Sequence, residues 1–243
     1  MKQTTIILTL AVSLFSAALA ESPTPGEIID RARATLGSNK ALDSVFTLRM
    51  IGILEPADPK VPAATLLIVA RKPHSQRLEL RVGDMVETTI LNGLNACIIR
   101  SNLKMDGSQM RKLSGAEHKR VLYSTRQLFK FYQPNFKDGE KVTNEGLVTH
   151  RGVRCHKLKY SDTDGLETIR YFSVADDALV ASVSDSGVES VNRGAQVVNG
   201  IKYPTSIDYY EDGRKLHTIR VTEIFVNRPL QPEIFKIPQM TKK

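Results

Sequence analysis

The stretch AATLLIVARKPHSQRLELRVGDMVETTILNGLNACIIRS (Ala63–Ser101) decides the fold of this protein. It predicts four consecutive antiparallel strands, separated by tight breaks at Lys72-Pro73, Gly83-Asp84 and Asn92-Gly93. Some of these strands are apolar on both faces. A sheet with two apolar faces needs a cover on each face, or a ligand on one of them. Our expectation of function depends on that choice.

Residues 1–20 have the three parts of a secretory signal peptide. Lys2 supplies the positive start, and Ile6 to Phe15 form an apolar segment too short to span a bilayer. Ala18-Leu19-Ala20 is a small-x-small cleavage site. The alternative, a buried N-terminal helix, fits this order less well. We therefore expect a periplasmic protein, soluble after cleavage, in which residues 21–243 form a single domain.

An amphipathic helix and one strand precede the opening stretch. In GEIIDRARATLGS (residues 26–38) apolar residues recur at helical spacing, Thr24 or Gly26 can cap the helix, and Gly37 ends it. VFTLRMIGI (residues 45–53) alternates between apolar and polar residues, which predicts a strand.

A helix and a second series of strands follow the opening stretch. Residues 104–115 are polar, and we expect a loop at Asp106-Gly107, then a helix from Ala116 to Tyr132 that Pro134 stops. Residues 140–227 predict six strands, and the tail at residues 229–238 predicts one helical turn tucked onto the sheet edge. The order predicts an α+β, mainly β fold. It would be one large curved antiparallel sheet of about 11 strands, a half-open β-barrel closed by helices on its concave face.

The chain is basic, with 34 Lys and Arg against 26 Asp and Glu. These cations are scattered along the strands, as on a solvated face. The alternative is attraction to an anionic surface such as lipid headgroups. Nucleic acid is not an expected partner, because the protein is exported and carries no nucleic-acid-binding motif.

The sequence predicts no catalytic residues, no cofactor and no metal. Cys97 and Cys155 fall on predicted strands, and either a disulfide or two buried free thiols fits that placement. His150, Cys155 and His156 are close in sequence, but adjacent Cys155 and His156 point to opposite faces of a strand and cannot readily share an ion. No nucleophile elbow, zinc-protease, P-loop or dinucleotide-binding motif occurs.

A set of apolar residues is expected to line one concave face. For each residue taken singly, packing in the core between sheet and helices is the simpler interpretation. For the set, a wide curved sheet offers more inner surface than a few short helices can fill, which favours a ligand cavity. The candidate ligand-binding residues are Phe46, Leu48, Met50, Leu66, Ile68, Leu78, Leu80 and Phe129.

Several short motifs occur in a fixed order along the mature chain. They are the N-terminal helix, VARKP (Val69–Pro73), Asn92-Gly93, AQVVNGIKYP (residues 195–204) and VNRPLQPEIFKIPQ (residues 226–239). In this order they resemble the LolA/LolB-type lipoprotein carrier superfamily, in particular its outer-membrane lipoprotein-sorting branch.

The resemblance implies an exported, monomeric, non-enzymatic half-barrel that binds acyl chains of lipoproteins or lipid on its concave face. It also implies an inner-membrane donor protein and an outer-membrane acceptor protein. Lys72 stands where the classical carriers have an Arg that ties down a helical lid, and Lys cannot make the forked bond of Arg. We assign Lys72 and the adjacent Arg71 to lid or headgroup contact. The classical carriers are also rich in Trp near the cavity, and this chain has none.

Two other functions remain open from the sequence. The same scaffold can serve as an envelope sensor or protein-interaction module, like the regulators that bind anti-sigma factors. An exported hydrolase would need convergent polar residues in the cavity, and no motif supplies them.

Overall fold

The computed structural model describes residues 22–239, so the predicted signal peptide at residues 1–20 lies outside the described residues. Three α-helices are present in this part of the chain: α1 (Pro25–Leu36), α2 (Asn39–Asp43) and α3 (Gly115–Gln127). The first half of the chain contributes β1 (Thr47–Pro56), β2 (Ala64–Arg71), β3 (Ser75–Val82), β4 (Met85–Asn92), β5 (Asn95–Asn102) and β6 (Ser108–Lys112). The second half contributes β7 (Lys141–His150), β8 (Val153–Ser161), β9 (Glu167–Ser173), β10 (Leu179–Ser184), β11 (Glu189–Arg193), β12 (Gln196–Val198), β13 (Ile201–Tyr203), β14 (Ser206–Glu211) and β15 (Arg214–Val226).

The fold is mainly β, as predicted, and is dominated by one open antiparallel sheet of 13 strands. The strand order is β6-β5-β4-β3-β2-β1-β15-β14-β11-β10-β9-β8-β7, with β6 and β7 at the two edges. The sheet consists of two meanders that meet where β1 pairs with β15. β12 and β13 leave this sheet and form a separate two-stranded hairpin.

The strand register divides the sheet into two faces with different covers. One face carries the three α-helices and the β12–β13 hairpin, and we call it the helix-bearing face. The other carries residues 229–239, and we call it the tail-bearing face. Because side chains alternate along a strand, the pairing of Met50 with Ile68 and of Ile68 with Leu78 places all three on one face.

Three apolar clusters attach the helices to the helix-bearing face. Ile28, Ile29 and Ala32 of α1 pack on Leu158 and Phe172 of the second meander. The second cluster joins α2, the β12–β13 hairpin and the segment after α3 to the central strands β1 and β15. The third joins α3 to the β4–β5 region.

The ends of α1 are fixed by local chemistry. Thr24, rather than Gly26, is the N-cap, and it forms a reciprocal capping box with Glu27. At the other end Gly37 lies against the β12–β13 turn, where a Cβ atom would sit 2.6 Å from the carbonyl oxygen of Gly200. A side chain at position 37 would therefore push the hairpin away from α1.

The tail packs on a sheet face and not on the sheet edge, which corrects the prediction. Residues Pro232–Phe235 form a 3-10 turn that contacts β3 and β4, and the Phe235 side chain is fully buried. The guanidinium carbon of Arg71 lies 5.1 Å from the centre of the Phe235 ring. Burial of a large aromatic ring stabilises the fold most when other residues cover the ring on all sides. The edge of a sheet cannot cover it in this way.

Other boundaries also differ from the predictions. α3 ends at Gln127, and Phe131 and Tyr132 have positive φ values of 45° and 72°, so the helix cannot continue through them. Residues 108–112 and 141–150 were not predicted as strands, but they form the two edge strands β6 and β7. An edge strand can be polar on both faces because water reaches both. The predicted strands Val188 to Val198 and Ile201 to Tyr210 are each broken, at Gly194 and at Pro204, and these differences together raise the number of strands above the predicted 11 or so.

Candidate functional site

Six of the predicted ligand-binding residues lie on the helix-bearing face. Leu48 and Leu66 are fully or nearly fully buried in it. The other four are only half-buried, and we call them the apolar floor: Met50, Ile68, Leu78 and Leu80. Register pairs Met50 of β1 with Ile68 of β2, and Ile68 with Leu78 of β3, and Leu80 follows Leu78 on the same face of β3. The floor is thus a continuous apolar area that the helices cover incompletely.

The two predicted phenylalanines have different surroundings. Phe129, just after α3, is buried in the cluster that contains Leu48 and Ala70. Phe46 precedes β1 and is 55% exposed, and its backbone N–H donates to the side-chain oxygen of Asn227 at 2.7 Å. The structure therefore brings Phe129 to the helix-bearing face but not Phe46 to the apolar floor.

Arg71 and Lys72 point to opposite faces of the sheet. Arg71 lies over Phe235 on the tail-bearing face, whereas the Lys72 ammonium lies 5.7 Å from the centre of the Phe129 ring on the helix-bearing face. Only Lys72 is therefore placed to contact the helical cover. Burial lowers the pKa of Lys72, and the nearby Asp43 carboxylate opposes that shift.

A cavity of about 500 Å³ opens beside Lys72, between the β2–β3 turn and the end of α3. Arg126 donates to Nε2 of His74 at 3.1 Å across it. Burial, together with the Arg126 charge, lowers the pKa of His74, so this imidazole accepts the bond in its neutral form. Cations and acids are mixed in the lining, which is formed by Asp43, Lys72, Pro73, His74, Arg126, Phe129, Lys130, Gln133, Pro134, Asn135, Asp138 and Glu140.

Polar side chains hold α3 to the sheet to an extent that its periodicity did not predict. Within the helix only Leu122 and Thr125 are buried. The Thr125 hydroxyl donates to Gln76 of β3 at 3.0 Å, and the Tyr123 hydroxyl bonds that of Thr168 of β9 at 2.9 Å. Each such bond makes only a modest net contribution to stability, because it replaces a bond to water.

Two further side chains of α3 reach the second meander. Arg120 pairs with Asp185 at 2.9 Å, and Gln127 accepts a hydrogen bond from Arg170 at 2.7 Å. α3 is therefore bonded to strands on both sides of the central β1–β15 pair.

Arg33 of α1 is a functional candidate that the sequence reasoning missed. Its guanidinium is 3% exposed and donates to the backbone carbonyls of Lys130 and Phe131 at 3.0 and 3.1 Å. It also donates to the side chains of Asn39 and Asp43 at 3.1 and 2.8 Å. One side chain thus ties the segment after α3 to α1 and α2. Its position in the apolar stripe of α1, four residues after Ile29, was the available signal.

The two cysteines are buried free thiols. Cys97 lies on β5 and Cys155 on β8, and nine strands of the sheet separate β5 from β8. That separation decides between the alternatives that the sequence left open. Among residues 22–239 no group of three or more His, Cys, Asp and Glu side chains is arranged to hold a metal ion. None of the helices in the same range is long and apolar enough to cross a membrane.

An open, mainly β sheet with a partly covered apolar face defines the class of fold. No family model and no curated protein matches the sequence. The structure is similar to a DUF1329 family protein from Desulfovibrio piger, with a TM-score of 0.56, 12% identity, and coverage of 88% of this chain and 98% of that one. It is equally similar to a LolA superfamily protein from Nitrosomonas europaea, with a TM-score of 0.56, 11% identity, and coverage of 89% and 99%. The chain therefore has the LolA-like fold that its ordered motifs predicted.

Proposed function

We propose that this protein is a periplasmic, non-enzymatic carrier or binding protein for lipoproteins or other acylated, apolar ligands. The observation that carries the proposal is the apolar floor of Met50, Ile68, Leu78 and Leu80, which is half-buried on the sheet face that also carries α3, a helix bonded to β3 and β9 by polar side chains. A ligand chain would lie on this floor when α3 lifts. Residues 21–243 would act as one domain after removal of residues 1–20.

The contacts of α3 support a half-barrel with the helices on its concave side. Thr125 and Tyr123, two residues apart, bond β3 and β9, and six strands lie between β3 and β9 in the sheet. In a flat sheet these strands would be about 34 Å apart, at about 4.8 Å per strand. A helix with its side chains is only about 10–12 Å across. These distances favour a sheet that curls towards α3, with the helix-bearing face on its concave side.

The expected affinity follows from chain burial. Each buried methylene contributes about 0.8 kcal/mol, so ten of them would contribute about 8 kcal/mol, which corresponds to micromolar binding. Lys72, beside Phe129 at the edge of the cover, would stabilise the closed position of the segment after α3. An inner-membrane donor and an outer-membrane acceptor would load and unload the ligand if the cargo is a lipoprotein.

The first test is native mass spectrometry of protein purified from the envelope of its own host. We expect a bound mass that organic extraction identifies as an acylated molecule. The second test measures binding of a neutral fluorescent probe, N-dodecyl dansyl amide, to the delipidated protein. Ile68→Gln, on the apolar floor, should weaken this binding by about tenfold or more. The control is Leu67→Gln, because Leu67 is equally half-buried but faces the tail-bearing side.

Absence of bound lipid together with absence of probe binding would overturn the proposal. Equal loss of binding in Ile68→Gln and Leu67→Gln would overturn the placement of the ligand on this face. A single stoichiometric protein partner, recovered without lipid, would indicate the sensor or interaction module instead.

A further inference from the structure

Arg170 of β9 is a buried cation on the helix-bearing face, and the cavity beside Lys72 does not include it. The side chain is 7% exposed. Its guanidinium lies between two aromatic rings, 4.3 Å from the centre of Tyr160 and 5.4 Å from that of Tyr132. One nitrogen, Nη2, donates to the side-chain oxygen of Gln127.

The polar atoms around Arg170 are incompletely paired. Nη1 of Arg170 and the hydroxyl of Tyr160 are both buried without a hydrogen-bond partner. Tyr160 is itself only 5% exposed. Unpaired groups at this depth are rare in proteins and call for a missing partner. Nη1 can only donate, so the partner that it lacks is an acceptor, whereas the Tyr160 hydroxyl can either donate or accept.

The charge of Arg170 is also unbalanced. None of the ion pairs formed within residues 22–239 includes it. Glu140 is engaged by Lys130 and by the backbone N–H of Asn135. Arginine keeps its charge in proteins, and a buried charge is normally paired.

The neighbouring tyrosines do not supply a negative charge. Burial raises the pKa of Tyr132 to about 12, in spite of the opposing effect of Arg170. Burial also raises the pKa of Tyr160 and of Tyr123. All three phenols are therefore neutral near pH 7.

We propose that Arg170, with the hydroxyl of Tyr160, binds the anionic headgroup, a phosphate or carboxylate, of an acyl-chain ligand. This rests on the proposed function, and it names the ligand class as anionic amphiphiles. Phosphate and carboxylate match the fork of the guanidinium, and the flanking rings hold that fork in one plane. Gln127 of α3 occupies part of the fork in the closed form. Lifting α3 would free Nη2 and expose the apolar floor in the same movement.

The test is competition against N-dodecyl dansyl amide on delipidated protein, with ligands kept below their micelle-forming concentrations. Dodecyl phosphate and dodecyl maltoside share one alkyl chain and differ in headgroup charge. We expect wild-type protein to bind dodecyl phosphate about tenfold more tightly, as for a charge-assisted hydrogen bond in a buried site. In Arg170→Gln the two affinities should fall within about twofold of each other, with dodecyl maltoside unaffected. Arg154→Gln, which removes an exposed cation of β8, should keep the preference.

Two variants keep the inference testable if Arg170→Gln fails to fold. Arg170→Lys keeps the charge and loses the fork, and Tyr160→Phe keeps the ring and loses the hydroxyl. Each should reduce the preference for dodecyl phosphate without changing the affinity for dodecyl maltoside.

The outcomes separate the two proposals. If the neutral probe binds but wild-type protein shows no headgroup preference, the Arg170 inference is overturned and the carrier proposal stands. The same conclusion follows if the probe binds and Arg170→Gln and both other variants keep the preference for dodecyl phosphate. If inorganic phosphate competes as strongly as dodecyl phosphate, the site binds a free anion, and the headgroup assignment is overturned. If the neutral probe does not bind at all, the carrier proposal fails, and the headgroup inference fails with it.

Discussion

Replacing Arg33 by Met should destabilise the protein far more than its place on a short surface helix suggests. Met keeps the length of the side chain and suits a helix, but it removes every donor. The change leaves the backbone carbonyl of Phe131 without a donor in a partly buried site, whereas the Lys130 carbonyl keeps the backbone N–H of Gln133 at 2.8 Å. Asn39 and Asp43 lose their bonds as well.

The loss in the free energy of unfolding depends on which of the former partners of Arg33 water can reach. The Asp43 side chain is 70% exposed, so it is rehydrated and its lost pairing contributes about 0–1 kcal/mol. The Phe131 carbonyl, left without a donor, costs about 1–3 kcal/mol. The sum predicts a loss of roughly 1–4 kcal/mol in the free energy of unfolding. For a domain of this size that corresponds to a fall in Tm of roughly 2–16 °C.

Urea unfolding followed by circular dichroism measures this loss, and Arg31→Met is the matched control. Arg31 lies on the same helix and pairs with Asp177 at 3.0 Å, but its side chain is 44% exposed. Its replacement should cost about 0–1 kcal/mol. If both variants unfold at the same urea concentration, Arg33 does not hold the helices together in the way described.

Two further predictions concern acid stability and thiol reactivity. Burial acts to raise the pKa of Asp208, but hydrogen bonds from two cations and a threonine hydroxyl outweigh it and lower the value to about 2, from 3.8. The ionised carboxylate therefore stabilises the fold above pH 4. Between pH 4 and pH 2 the urea midpoint of the wild type should fall more steeply than that of Asp208→Asn. Parallel pH profiles of the two proteins would refute this. Burial also raises the pKa of Cys97 and of Cys155, so a thiol reagent should react slowly with the native protein and titrate two thiols in urea. Fewer than two thiols in urea would contradict the free state of both cysteines.

The strands of Ala63–Ser101 were the most predictable part of the molecule. β2, β3, β4 and β5 begin and end within two residues of the breaks at Lys72-Pro73, Gly83-Asp84 and Asn92-Gly93. Turn chemistry and alternation are local properties, so a single sequence reveals them. The same locality explains why six of the eight candidate ligand-binding residues share one sheet face: their parity along each strand is fixed by the pleat.

Features that depend on distant partners were not predictable. The apolar stripe of α1 indicates that Arg33 is buried, but neither the sequence near Arg33 nor that near Arg170 reveals a contact with the region of α3. The groups that these two side chains meet there lie far along the chain. The periodicity of residues 116–132 predicted an apolar contact, whereas α3 is held largely by hydrogen bonds to residues of β3 and β9 that lie far away in sequence. Phe46 is in phase with Leu48 and Met50 in the alternation of the sequence. However, β1 begins after Phe46, so the pleat of the strand does not orient its side chain.

The pairing of the first strand with the last has a consequence for how the molecule is made. Leu48 of β1 lies opposite Val226 of β15, so the central seam of the sheet requires both halves of the chain at once. Each meander can form its own hairpins early, but their joining is a late, long-range event, and such topologies fold slowly. While only part of the chain has been synthesised, β1 has no β15 to pair with, and the two meanders stay separate.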